Sequence, residues 1–220
     1  METISMWSDL SVPWRAALSE AWKAYLDGCI PIGAAVADGE NVVIASGRCQ
    51  NEDVELNGNM IQDHKLAHAQ MNVLLQVKGD RKQLKSSALY CTCEPCPMCM
   101  GALYMSGIRD VFYAQADPYS GSSNLLGITP YLSVKPVRAF GPFNSDLEGV
   151  LMAMNVEYAL RSSEFEYSEM VDTWREFNPR AVSFGEFLRS DETLLKYKQN
   201  EIESQVVFEQ LILLFKEFAI

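Results

Sequence analysis

The stretch CEPCPMC, at residues 93–99, is the most informative part of this sequence for predicting its fold. The five residues before it, ALYCT at 88–92, are apolar and β-prone, which indicates a buried strand. A helix is predicted from residue 96 to 105, so Cys96 and Cys99 stand at its N-terminus. Free backbone N–H groups and the helix dipole favour thiolates at such a position.

A second motif, LAHAQMNV at residues 66–73, lies upstream on a helix predicted from residue 64 to 77. Zinc in hydrolytic sites takes three protein ligands and keeps a fourth position for water, whose pKa it lowers towards neutrality. His68, Cys96 and Cys99 supply these three ligands from two helices. The spacing therefore predicts one zinc site of the hydrolytic type.

Other arrangements of these metal-binding residues stay open. Alternation along a strand sends Cys91 and Cys93 to the same face, so the geometry permits a closed zinc knuckle. That knuckle would use Cys91, Cys93, Cys96 and Cys99. An iron–sulfur site is less favoured, because position 103 holds leucine where a further cysteine is expected. Pairing of His64 with His68 is weak, since no glutamate follows as in an H-E-x-x-H metalloprotease.

Working outward from the two motifs, helices alternate with strands along the first 160 residues. Strands are predicted at 31–37, 42–45, 88–92, 111–114 and, as an edge strand with a proline, 135–140. Helices are predicted at 12–28, 64–77, 96–105 and 146–159. This order predicts an α/β sandwich around a mixed sheet.

The chain changes character after residue 160, where glutamate and aromatic residues become frequent. Helical patterns occur at 164–177, 183–197 and 200–218. We therefore predict a first unit at 1–160, which carries both zinc motifs, and a helical C-terminal extension at 161–220. The apolar stretch 206–220 is interrupted by charges and is not basic, which favours core or dimer packing over membrane contact.

The net charge and the arrangement of the cysteines restrict the ligands and the cellular compartment that we expect for this protein. The formal net charge is −11, with 18 lysines and arginines against 29 acids, so nucleic acid is disfavoured and a small, weakly charged ligand is favoured. Four of the six cysteines lie within nine residues, which is typical of a metal site in a reduced compartment. No signal peptide and no membrane-spanning stretch are recognisable, so we expect a cytoplasmic protein without membrane contact.

The two motifs resemble the signature H-x-E…P-C-x-x-C of the cytidine deaminase superfamily. The chain is most similar to the branch that holds bacterial tRNA adenosine deaminase, guanine deaminase and fungal-type cytosine deaminase. The resemblance covers roughly residues 12–160 and includes PIGAAV (31–36), AHAQ (67–70), CEPCPMC (93–99), GAL (101–103) and VFYA (111–114). It implies a three-layer α/β/α sandwich around a mixed five-stranded sheet, one catalytic zinc ion (Zn²⁺) per subunit and a homodimer.

The resemblance also assigns roles to individual positions. His68, Cys96 and Cys99 become the zinc ligands, and Gln70 takes the position of the proton-shuttle glutamate. An amide has no titratable proton near neutral pH, so Gln70 can form hydrogen bonds with substrate but cannot carry its protons. Two explanations stay open: a deliberate Glu-to-Gln change that holds substrate unreacted, or a natural pseudoenzyme or displaced chemistry.

Substrate contacts are less sharply predicted. The asparagine that the branch uses after its second strand is replaced by Cys49, or its role shifts to Asn51. Asp117 is either a substrate contact or part of an Asp-Pro turn without chemistry. Aromatic side chains could stack on a flat ring, although core packing accounts for most of them: Tyr119, Phe165, Tyr167, Trp174 and Phe177.

These features predict a zinc-dependent hydrolytic deaminase of a small aminated nucleobase, nucleoside or related heterocycle, in a low-activity form. Such an enzyme would act in nucleobase or nucleoside metabolism. One alternative is a catalytically silent zinc-binding protein that binds a ligand or a partner subunit. A second is a tRNA adenosine deaminase, which the acidic balance disfavours.

Overall fold

A five-stranded mixed sheet forms the centre of the protein. The structure is a computed structural model that describes residues 7–52, 61, 65–143, 146–161 and 165–218. The strands are β1 Gly33–Ala37, β2 Val43–Arg48, β3 Ala88–Cys93, β4 Asp110–Gln115 and β5 Arg138–Phe140. They are ordered β2-β1-β3-β4-β5. β1 pairs antiparallel with β2 and β3, whereas β3–β4 and β4–β5 are parallel.

Helices of the first 160 residues cover both faces of this sheet. They are α1 Val12–Leu26, α2 Ala69–Gln76, α3 Arg81–Ser86, α4 Pro97–Ser106, α5 Pro130–Ser133 and α6 Asp146–Ala159. The predicted strands and most predicted helices are confirmed within a few residues at each end. β5 is an edge strand as predicted. The predicted start of the second helix is wrong, because α2 begins at Ala69 and His64 lies outside the described residues.

Alternation along the strands builds two apolar layers. Side chains on one face of the sheet, among them Val36, Leu89 and Val111, pack against α2 and α4. Side chains on the other face, among them Tyr90 and Ala114, pack against α1 and α6. The three-layer α/β/α sandwich is therefore confirmed.

Gly33 allows α1 to approach the sheet closely. A Cβ atom at this position would collide with the backbone of Ala17 and of Ala21 on α1. The backbone N–H of Gly33 also donates to Thr92 Oγ1 at 3.0 Å, which ties the start of β1 to β3. The glycine therefore fixes the separation between α1 and β1, and β1 pairs with the strand β3 that precedes the predicted metal motif.

The C-terminal extension contains four helices among the described residues. They are α7 Phe165–Phe177, α8 Pro179–Ser190, α9 Thr193–Gln199 and α10 Ser204–Glu217. The single helix predicted at 183–197 is wrong, since Glu192 adopts a left-handed conformation (φ 56°) between α8 and α9. A non-glycine residue with that backbone conformation interrupts the helical ladder.

The extension shares the core of the sandwich. Phe184 of α8 and Phe208 of α10 are buried in the same apolar cluster as Trp14 of α1 and Leu151 of α6. The indole N–H of Trp22 donates to the carbonyl of Ile202 at 2.9 Å. The buried face of α10, which includes Val207, Phe208 and Leu211, therefore packs in the core. In the described part of the chain, no helix combines the length and apolar character needed to cross a membrane.

Candidate active site

His68, Cys96 and Cys99 converge beyond the C-terminal end of β3, the central strand of the sheet. The His68 Nδ1 atom lies 3.5 Å from Cys96 Sγ and 3.6 Å from Cys99 Sγ, and the two sulfurs are 3.6 Å apart. Tetrahedral zinc with Zn–S bonds of about 2.3 Å and Zn–N bonds of about 2.0–2.1 Å requires S···S near 3.8 Å and S···N near 3.6 Å. The three atoms therefore stand at the separations that one zinc ion needs.

Two helix N-termini position these ligands. Cys96 is the N-cap residue of α4, Pro97 occupies its first turn, and Cys99 follows within that turn. His68 is the N-cap residue of α2 and has an extended backbone (φ −71°, ψ 149°) rather than a helical one. Neither Cys96 nor His68 uses its side chain to cap its helix, so both side chains remain directed to the shared site.

The knuckle alternative does not match this geometry. Cys91 is fully buried in the apolar layer beneath α2 and α4, and Cys93 lines the cavity described below. Burial raises the pKa of both thiols. Within the described residues, the group that could hold a metal consists of His68, Cys96 and Cys99.

The two ligand thiols differ in their electrostatics. The hydrogen bond with Cys99 lowers the pKa of Cys96 to about 4, and the hydrogen bond with His68 adds to this effect. The same contact with Cys96, together with burial, raises the pKa of Cys99 well above its usual range. A cation bound between them would favour the thiolate form of both, which is the form that ligates zinc.

Gln70 lies beside the metal ligands and is 3% exposed. Its Nε2 atom donates to the backbone carbonyl of Cys93 at 3.3 Å. Its Oε1 atom accepts from the Cys99 thiol at 3.5 Å. The amide therefore stands within reach of the predicted metal and carries no titratable proton at this place.

A cavity of about 370 Å³ opens next to the three ligands. All seven residues predicted from the sequence as site residues stand at this place: six line the cavity, and Cys99 is buried beside it. The six are Cys49, Asn51, His68, Gln70, Cys96 and Asp117. The volume lies at the small end of the range of about 300–1,000 Å³ for ligand pockets.

Cys49 and Asn51 contact each other in the wall of the cavity. The Cys49 thiol donates to Asn51 Oδ1 at 3.1 Å, and burial raises the pKa of Cys49 to about 12. The Asn51 amide nitrogen donates to Glu52 Oε1 at 3.4 Å. Cys49 is thus a neutral thiol, and Asn51 supplies the stronger hydrogen-bonding group of the pair.

Asp117 is buried and uses its carboxylate inside the protein. Oδ1 accepts from the backbone N–H groups of Tyr119 and Ser120 at 3.0 and 3.1 Å and from the Trp174 indole at 3.0 Å. Oδ2 accepts from the Ser120 hydroxyl. Three of these four donors belong to the turn after Asp117, and the fourth, the Trp174 indole, belongs to α7.

Glu94 and Met170 are two site residues that sequence reasoning did not identify. The Glu94 carboxylate accepts from the backbone N–H of Asp117 at 3.1 Å and from Ser123, so it fastens the loop after β4 to the metal motif. Met170 of α7 lines the cavity together with Tyr167 and Trp174. Tyr119 also lines it, whereas Phe177 is 52% exposed elsewhere on α7 and the Phe165 side chain is not described.

Comparison with known proteins extends these observations. Residues 9–115 match the family described as the cytidine and deoxycytidylate deaminase zinc-binding region. The match ends before the turn at Asp117 and before the extension.

Three relatives illustrate the similarity. The tRNA-specific adenosine deaminase of Bacillus subtilis is 34% identical over 116 residues, which cover 51% of this chain and 65% of that protein, just under two thirds. The tRNA-specific adenosine deaminase of Rickettsia bellii is 31% identical over 50% of this chain and 74% of that protein. The cytosine deaminase of Candida albicans is 29% identical over 51% of this chain and 70% of that protein. With its zinc-type ligand group and its mixed sheet, the chain belongs to the cytidine and deoxycytidylate deaminase family of zinc-binding proteins.

Proposed function

We propose that the chain binds one zinc ion through His68, Cys96 and Cys99 and holds a small aminated heterocycle beside it, with hydrolytic deamination suppressed by Gln70. The observation that carries this proposal is the tetrahedral spacing of the three ligand atoms at a cavity of about 370 Å³. A homodimer and a cytoplasmic location remain parts of the proposal.

The reaction of such a site replaces an exocyclic amine by water. Water adds to the amidine carbon, the C–N bond breaks, and a carbonyl oxygen remains in place of the amine. One proton of the water leaves with the ammonia, and the other stays on the ring nitrogen. Zinc, when bound, supplies the activated water for this step. A neighbouring group must take a proton from the water and return it to the ring nitrogen and to the leaving amine.

Gln70 can perform only part of this work. Its buried amide can accept or donate a hydrogen bond at the ring, which supports binding. It cannot accept a proton near neutral pH, so the transfer to the ring and to ammonia is interrupted. Asn51 offers a second amide in the cavity, and Ile30 and Ile32 offer apolar contacts to a ring. We therefore expect ligand binding with slow or absent turnover.

Replacement of Gln70 by glutamate tests this function. Zinc-loaded Gln70→Glu protein should release ammonia from at least one compound among cytosine, adenine, guanine and their nucleosides, because the carboxylate restores the missing proton carrier. We expect a rise of about 10²–10⁴-fold over the unchanged chain, the usual contribution of a general acid–base group. Ammonia is measured by a coupled enzymatic assay, with zinc quantified in the same samples.

Gln199→Glu is the matched control for this change. Gln199 is exposed at the end of α9, so the same substitution there should leave ammonia release unchanged. If zinc-loaded Gln70→Glu protein released no ammonia from any of these compounds, the silent zinc-binding scaffold would replace the deaminase as the preferred function.

Nucleic acid is the second candidate ligand, because two of the compared relatives are named for tRNA. The net charge of −11 opposes it, since phosphate binding depends on lysine and arginine. Binding to an RNA hairpin that falls steeply between about 50 and 200 mM salt would favour this candidate. We expect no such binding.

A further inference from the structure

Helix α7 of the extension contributes one side of the cavity. Tyr167, Met170 and Trp174 recur three and four residues apart, which puts them on one face of the helix. All three line the cavity, and Met170 and Trp174 are 8% and 1% exposed. The side chains that enclose the ligand space therefore include a segment that the family match does not reach.

Hydrogen bonds connect α7 to the metal motif. Trp174 Nε1 donates to Asp117 Oδ1 at 3.0 Å, and the Tyr119 hydroxyl donates to Glu169 Oε2 at 3.4 Å. The backbone N–H of Asp117 in turn donates to Glu94, which stands between Cys93 and Cys96. The position of α7 is thereby fixed relative to the three ligand atoms.

The residues that line the cavity also disfavour binding of a nucleic-acid strand. Single-stranded nucleic acid is held by grooves of basic side chains along its backbone. Among the described lining residues, Lys65 is the single lysine or arginine, and it is accompanied by Glu52. Aromatic and thioether side chains instead suit the face of a planar ring.

We propose that α7 is the specificity-determining wall of the site, in which Met170 and Trp174 contact the face of one unattached planar base and leave no path for a polynucleotide. This inference rests on the proposed function and adds to it the substrate class and the residues that select it. The turn at Asp117 acts as the positioning element, because it holds the wall at a fixed distance from the metal ligands.

Ligand binding to the zinc-loaded full chain tests the proposal. Gln70 is retained, so that the ligands are bound without being deaminated during the measurement. The probes are cytosine, adenine, guanine, their nucleosides and a short RNA hairpin. We expect at least one free base to bind and to change tryptophan emission. Met170→Ala should weaken this binding about tenfold, a usual cost of a lost apolar contact in a pocket. Trp174→Phe should weaken it as well and should abolish the change in emission.

Phe177→Ala is the control, because Phe177 lies on the same helix and is 52% exposed outside the cavity. It should leave the affinity within twofold of the unchanged chain. Melting temperatures report whether each variant is folded, and Met170→Ala keeps the test valid if Trp174→Phe does not fold.

Two results would contradict the assignment of α7 as the specificity-determining wall and leave the proposed function intact. One is unchanged base affinity in both Met170→Ala and Trp174→Phe. The other is an equal kcat/KM for ammonia release in the Gln70→Glu protein and in the Gln70→Glu, Met170→Ala double variant. Tighter binding of the RNA hairpin than of any free base would also contradict the proposal. Failure of every base and nucleoside to bind the zinc-loaded chain would overturn the proposed function together with the wall.

Discussion

Gln70 engages both ends of its amide within the metal motif. Its nitrogen donates to the carbonyl of Cys93 and its oxygen accepts from the thiol of Cys99. The side chain therefore fixes the loop that carries the ligands even though it cannot shuttle a proton. The contact with the Cys93 carbonyl gives a structural reason for a polar residue at this buried position, since an apolar side chain would leave that carbonyl unpaired. A Cys99 thiolate bound to zinc has no proton to donate to Gln70.

Asp117 is the residue whose loss should disturb the site most without touching a metal ligand. Asp117→Ala removes the acceptor for two backbone N–H groups, a hydroxyl and the buried Trp174 indole. Unpaired buried donors cost about 1–3 kcal/mol each, so we expect a fall of about 3 kcal/mol in the free energy of unfolding. Urea denaturation followed by tryptophan fluorescence measures it.

Asp172→Ala provides the comparison for that prediction. Asp172 is exposed on α7, and surface substitutions of this kind change stability by about 0.5 kcal/mol or less. Equal stability losses in Asp117→Ala and Asp172→Ala would show that the turn does not hold the helix.

At the scale of elements, periodicity was enough to predict the strands and the helix Asp146–Ala159. The predicted position of His68 inside a helix is wrong for a physical reason. Its N–H donates to the carbonyl of Leu66 at 2.8 Å and its backbone is extended, so the helical ladder starts one residue later. Apolar spacing does not distinguish an N-cap residue from an interior one. The predicted start of α4 at Cys96 and Pro97 is confirmed, because a proline is well tolerated in the first turn of a helix.

Packing between α1 and β1 depends on the absence of a side chain at Gly33. Gly33→Ala would force a Cβ atom into the backbone of Ala17 and of Ala21. Because backbone atoms cannot move aside as a flexible side chain can, we expect a loss of about 3 kcal/mol, at the upper end of overpacking costs. Chemical denaturation measures the change.

Gly101 offers the same substitution in open space. It lies in α4, and a Cβ there would meet nothing within 4 Å. Gly101→Ala should therefore stabilise the protein by about 0.5–1 kcal/mol through the higher helix propensity of alanine. A Gly33→Ala protein as stable as Gly101→Ala would contradict the close approach of α1 to the sheet.

At the scale of the whole molecule, the extension completes the core. The sequence predicted its helices but not the surface that they cover, because an amphipathic pattern identifies an apolar face without naming its partner. The contribution of α7 to the cavity could not be predicted from the sequence for the same reason. Tyr167 and Trp174 were candidates only as aromatic residues, and Met170 carried no signal that separates a cavity wall from a core.

Sharing of one core predicts that damage to α10 destabilises the entire protein. Phe208 is 1% exposed and stacks on Trp7 within the cluster that includes α1 and α6. Phe208→Ala should cost about 3–5 kcal/mol, the range for removal of a buried phenylalanine side chain. We expect one cooperative unfolding transition at a lower temperature, measured by calorimetry.

Leu213→Ala on the same helix is the control, since Leu213 is 59% exposed and its loss should change stability by about 0.5 kcal/mol or less. If Phe208→Ala instead produced a separate early transition, with the rest of the protein unaffected, the extension would be an independent unit.

X-ray absorption at the zinc edge tests the central claim, that His68, Cys96 and Cys99 form one zinc site beside the cavity. For the zinc-loaded full chain, we predict one zinc per chain with two sulfur neighbours at about 2.3 Å and nitrogen or oxygen neighbours at about 2.0–2.1 Å. A shell of four sulfurs would instead indicate the cysteine knuckle. That result, or a chain that retains no zinc, would contradict the claim.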